Sequence, residues 1–106
     1  MVEWVSIGKL SDFPEGKMKR VSAKGKDLLI AKIDGEFYSI DDVCTHEECS
    51  LSDGFLQGEV VTCGCHLARF NVKTGKKIAN PATGVNISDE TIFKIKVENQ
   101  EVFVEV

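Results

Sequence analysis

Residues 91–106, Thr-Ile-Phe-Lys-Ile-Lys-Val-Glu-Asn-Gln-Glu-Val-Phe-Val-Glu-Val, alternate apolar and charged side chains in two runs. Phe93, Ile95 and Val97 fall on one face of the first run, with Lys94 and Lys96 on the other. Val102, Val104 and Val106 fall together in the second. A period of two is that of a half-buried strand. The spacing predicts strands over 91–97 and 101–106, joined as a hairpin by Asn99-Gln100. Further back, Arg69–Lys73 and Lys76–Ala79 flank Thr74-Gly75, and Asp27–Ile33 and Glu36–Ile40 flank Asp34-Gly35. An Asp-Gly pair between two apolar runs is a strong hairpin signal, because both central residues of that turn need positive φ. Met18–Ser22 precedes these across Lys24-Gly25, and Trp4–Ile7 is a short first strand. Leu10–Gly16, with Pro14 and Gly16, reads as a loop with room for one helical turn. No stretch carries a 3.6-residue period. The expectation is an all-β fold, an antiparallel β sandwich or barrel-like domain.

A length of 106 residues suggests one domain, 1–106. The longest apolar run, Leu28-Leu29-Ile30-Ala31, is the size of a strand and far short of the ~20 residues that span a bilayer. Met1-Val2-Glu3-Trp4 has neither a basic region nor a long apolar stretch, so no signal peptide is expected. These features predict a cytoplasmic protein with no membrane partner. The net charge of −4 argues against nucleic acid. From Asp34 to Ala68 there are eight acids and no Lys or Arg, while the other residues carry a surplus of basic groups. A distinctly acidic region follows, suited either to solubility or to docking on a basic surface.

All four cysteines and both histidines fall between residues 44 and 66. Cysteines that staple a whole domain are usually spread along it, so this clustering points to a local site. The stretch from Asp41 to Asp53, polar and acidic, reads as a functional loop on a rigid scaffold. Cys44-Thr45-His46 and Cys63-Gly64-Cys65-His66 each offer one thiolate and one imidazole. Two matched halves suit a site with two metal centres, one taking both thiolates and the other both imidazoles. That is the donor set of a Rieske 2Fe–2S cluster. Neutral imidazoles make such a site less negative than an all-cysteine one, so an electron is added more easily. Cys2His2 is also a zinc set, though zinc sites usually open with two cysteines two to four residues apart, and C-x-H matches poorly. Two plain disulfides are a third use of the cysteines, in three connectivities, but leave both histidines unexplained.

The chain resembles the Rieske ferredoxins, small electron carriers of ring-hydroxylating oxygenase systems. Cys44-Thr45-His46, Leu51-Ser52-Asp53-Gly54, Cys63-x-x-His66, Phe70, the Thr74-Gly75 turn and the terminal strands carry the likeness over nearly the whole chain. The resemblance implies that Cys44 and Cys63 bind one iron of a 2Fe–2S cluster and His46 and His66 the other. It implies a sandwich with a small inserted cluster-binding subdomain, here about 41–82, and a covering loop at Asn80-Pro81-Ala82. Cys49 and Cys65 are extra to that pattern. The Rieske proteins of cytochrome bc complexes have cysteines at both places, joined as a disulfide between the cluster loops, and that likeness implies a Cys49–Cys65 disulfide here. The bc proteins also carry hydroxyl side chains where this sequence has Ala68 and Phe70. Without those donors, and with Asp41, Asp42, Glu47 and Glu48 near the ligands in sequence, the expected potential lies towards the low end of the roughly −150 to +300 mV Rieske range.

The implied function is that of a diffusible, monomeric one-electron carrier. It takes electrons from a reductase, a flavoprotein, and passes them to an oxygenase or other acceptor. It is not itself an enzyme, since 106 residues leave no room for an oxygenase catalytic domain. The competing readings are a permanent small subunit of a larger oxidoreductase and, from another class, a zinc or thiol-switch module. Arg69, the first basic residue after the acidic stretch, is expected to form a salt bridge; Trp4 and Tyr38 are expected in the scaffold, and Thr45 and Leu67 are expected to shield the cluster.

Overall fold

The computed structural model describes residues 3–43, 49–65, 67–80, 84 and 87–106. Among them the chain forms β1 (Trp4–Lys9), β2 (Met18–Ala23), β3 (Lys26–Ile33), β4 (Glu36–Asp41), β5 (Phe55–Gln57), β6 (Val60–Thr62), β7 (Arg69–Asn71), β8 (Lys77–Ala79), β9 (Ile92–Phe93), β10 (Ile95–Glu98) and β11 (Glu101–Glu105). One-turn 3-10 helices occupy Leu10–Asp12 and Leu51–Asp53. Every strand pairing is antiparallel. The sheets run β1-β11-β10, β2-β3-β4-β9 and β5-β6-β7-β8. Among the described residues no helix is long and apolar enough to cross a membrane.

The expected hairpins form for the expected reason. Asp34 and Gly35 both have positive φ, at 53° and 80°. Glu15 fixes this turn from outside, its carboxylate accepting the N–H groups of Asp34 at 2.6 Å and Gly35 at 2.8 Å. Asn99 and Gln100 adopt the same left-handed pair, at 50° and 65°, without any glycine.

Strand β3 explains the apolar run at 28–31. Its alternate residues serve two cores. Leu29, Ala31 and Ile33 join Ile40, Leu51, Val61, Cys63, Ala68, Phe70, Val72 and Ile87 on one side. Leu28 and Ile30 join Phe13, Ala23, Val102 and Val104 on the other. A strand buried on both faces has no polar face to alternate with. The β2-β3-β4-β9 sheet is therefore the middle layer, between the terminal hairpin and the β5–β8 sheet.

The single strand expected over 91–97 is two. Ile92 and Phe93 pair with Ile40 and Ser39 of β4, and from Ile95 the chain pairs with β11 instead. The switch falls at Lys94, whose carbonyl still accepts the Glu105 N–H at 2.9 Å. Alternation survives it, because Phe93 and Ile95 pack against the same core. Strands β5 and β6 were not expected from the sequence.

Candidate metal centre

Strand β6 delivers Cys63 to the core. The thiol is buried, at 1% exposure, and takes no part in a disulfide. The chain then turns at once. Leu67 N–H donates to the Cys63 carbonyl at 3.0 Å, and Cys63 N–H donates to the Ala68 carbonyl at 2.8 Å. Leu67 takes a positive φ of 64° and is exposed, so it stands at the surface beside Cys65. Ala68 and Phe70 go inward and are fully buried in the core that holds Cys63.

A second loop meets this turn. Cys49 and Cys65 form a disulfide, with Cα atoms 6.6 Å apart. It lies at the surface, in a depression of about 520 Å³ lined also by Arg20, Ser50, Asp53 and Gly64. Gly54 sets how closely the loops approach: a Cβ there would meet the Thr62 carbonyl oxygen at 2.0 Å and the Gly64 nitrogen at 3.1 Å. Gly75 closes the far end of the same sheet with a φ of 75°, donating to the Asn71 carbonyl at 2.7 Å and accepting from Glu90 N–H at 2.7 Å.

Cys44, His46, His66 and Pro81 lie outside the described residues, as does Thr45. Among the described residues, therefore, no three His, Cys, Asp or Glu side chains gather as metal ligands. What is described fits a metal centre of the expected kind. The two cysteines not expected to be ligands are oxidised to one another, and the cysteine expected to be one is free, buried and two residues from the bond. The salt bridge expected of Arg69 does not form among the described residues: its side chain is exposed and borders a groove with Lys17, Phe55 and Thr62.

One polar cluster was not foreseen. Lys73 pairs with Glu59 at 3.4 Å and lies over the Tyr38 ring, 5.4 Å from its centroid. Asn71 Nδ2 donates to Glu59 at 2.9 Å. The Asn71 amide and the Lys73 ammonium hold the Glu59 carboxyl below the usual carboxylate range, and Glu59 raises Lys73 in return. The cluster ties the β5–β8 sheet to β4. Its residues are scattered in sequence and each reads as an ordinary surface group.

Comparison with known proteins places this geometry. The model of the Rieske [2Fe-2S] domain matches residues 3–103. The ferredoxin component of the naphthalene 1,2-dioxygenase system of Pseudomonas putida is 37% identical over 105 residues, covering 99% of this chain and 97% of the relative. The ferredoxin component of the naphthalene 1,2-dioxygenase/salicylate 5-hydroxylase systems of Ralstonia sp is 36% identical over 103 residues, covering 97% and 95%. A structure of the complex of reduced oxygenase and oxidised ferredoxin in carbazole 1,9a-dioxygenase contains a chain that matches with a TM-score of 0.85 at 33% identity, covering 95% of this chain and 91% of that one. The ferredoxin of carbazole 1,9a-dioxygenase from Nocardioides aromaticivorans IC177 shares the fold, with a TM-score of 0.86 at 23% identity. The chain thus belongs to the Rieske [2Fe-2S] family, as an electron-transfer protein with a Rieske-type cluster rather than a catalyst.

Proposed function

We propose that this chain is the ferredoxin of a ring-hydroxylating oxygenase system, taking single electrons from a flavoprotein reductase and passing them to a terminal oxygenase. The observation that carries this reading is the likeness, over nearly the whole chain, to ferredoxin components of naphthalene dioxygenase systems; the sorting of the cysteines, with Cys49 and Cys65 joined and Cys63 free and buried, supports the ligand assignment. In this reading Cys44 and Cys63 hold one iron and His46 and His66 the other, within a subdomain of about 41–82 that Pro81 helps to cover. When bound, the cluster supplies a reversible one-electron couple. The chain's residues hold it, exclude water and present it. Cys65 and Leu67, on either side of His66, are exposed, which supports an electron exit at that imidazole.

The low potential is part of the proposal. The buried side chains nearest Cys63 in the turn, Ala68 and Phe70, carry no hydroxyl to donate to sulfur. A donor there would favour the more negative reduced state. The acidic region favours a partner with a basic surface, met by a cytoplasmic monomer. The test is anaerobic mixing of reduced protein with the terminal oxygenase of a naphthalene 1,2-dioxygenase system. Single-turnover reoxidation by the oxygenase is expected; a reduced protein that the oxygenase does not reoxidise contradicts the proposal.

A further inference from the structure

The loop that carries Cys44 and His46 has its base fastened at one residue. Asp42 follows β4 and is buried, at 1% exposure. Its N–H donates to the Asp27 carbonyl at 3.1 Å, and its carbonyl accepts Leu51 N–H at 2.7 Å. Both carboxylate oxygens reach the far side of the loop. Oδ1 accepts Ser52 N–H at 2.8 Å, and Oδ2 accepts the Ser50 hydroxyl. Ser50 has one hydroxyl proton, so the Ser52 hydroxyl donates in the 2.8 Å contact between the two. Val43 and Ser50 then pair as an isolated antiparallel bridge. The next residue back, Cys49, is bonded to Cys65. Val43 and Cys49, which flank residues 44–48 in sequence, are thus both fixed.

We propose that Asp42 is a positioning residue of the cluster site: it fastens Val43, where the segment bearing Cys44 and His46 begins, to Ser50, where that segment returns next to the Cys49–Cys65 bond. This rests on the ligand assignment above. Asp42→Asn keeps the side chain's shape and its acceptor for Ser52 N–H. Asp42→Ala removes the anchor, and Ser50→Ala removes one strand of it should Asp42→Ala fail to fold.

The readout is the equilibrium opening of Cys49–Cys65 in a series of dithiothreitol ratios. D42N, the conservative variant, is expected to leave it near wild type. D42A is expected to open the disulfide at a dithiothreitol ratio lower by about tenfold, the scale of losing a buried hydrogen bond. S50A should move the same way by less. A disulfide equilibrium that neither D42A nor S50A moves overturns the proposal, and so does a D42N that opens as readily as D42A. The disulfide is read on cluster-free protein too, so the anchoring is decided even where the ligand assignment fails; that failure would show instead as wild-type protein without iron.

Discussion

At position 68 a methyl group is buried in the core that holds Cys63. Ala68 is fully buried, and its carbonyl accepts the Cys63 N–H. Ala68→Ser places a donor there, and the midpoint should rise, by ~59 mV for each tenfold gain in favour of the reduced state. Redox titration checks it; an unchanged or lower midpoint means that the missing hydroxyl does not set the potential. Glu59 makes a different prediction. Its folded carboxyl titrates below its usual range, first because Asn71 donates to it and then because Lys73 does. A depressed carboxylate contributes stability that is present above the unfolded pKa and lost as pH falls through the folded one. Lys73, raised first by Glu59, adds stability that is lost only as pH rises through its folded value. Glu59→Gln should therefore flatten the acid limb of a stability–pH curve, between the unfolded and folded carboxylate values, and lower the neutral plateau by the same amount, a small one since the groups are exposed. Urea midpoints from pH 3 to 7, as an approximate window around the ordinary carboxylate value, check this; equal acid limbs contradict it.

At the scale of elements, Gly54 decides how the two cluster loops meet. A methyl group there would overlap the Thr62 carbonyl at 2.0 Å. Gly54→Ala should cost at least ~1–3 kcal/mol, as overpacking does, and loosen the Cys49–Cys65 contact with it. Denaturant unfolding tests the cost, and a variant as stable as wild type contradicts it. Hairpins were the legible elements. Asp34-Gly35 announces positive φ in its residue types, and the valines at 102 and 104 announce a buried face. Strands β5 and β6 were not legible: three residues each give alternation too little length to register, and where β7 and β8, equally short, flank Thr74-Gly75, the turn at Gly58-Glu59 carries no pair that announces a hairpin. The break at Lys94 was hidden for the opposite reason: a chain that changes sheets while keeping its faces keeps its period. Asp42 was legible only as one acid among several. Its burial depends on Ser50 and Ser52 across the loop, a contact that spacing does not reveal.

Across the whole molecule, the division of labour follows charge and layering. The terminal hairpin and the β3 layer form the scaffold, and the β5–β8 sheet lies on it with Cys63 at the shared core. The eight acids from Asp34 to Ala68 give that central stretch of the sequence one sign of charge. Electron transfer to a partner with a basic surface should slow as ionic strength rises, most steeply at low salt, before the Debye length has shortened to about 10 Å. A rate independent of salt, measured with the physiological oxygenase, contradicts electrostatic docking. The family was legible in a C-x-H and a C-x-x-H in one chain; of those four donor residues only Cys63 is among the described ones. The pairing of Cys49 with Cys65 came from resemblance, and the structure supplies its geometry.

The proposed ligands, Cys44, His46, Cys63 and His66, hold a 2Fe–2S cluster in this reading, and electron paramagnetic resonance on the anaerobically purified, dithionite-reduced protein is the measurement that decides it. A rhombic signal with the low average g value of a histidine-ligated 2Fe–2S centre is expected. Folded protein that gives no such signal and contains no iron would contradict it.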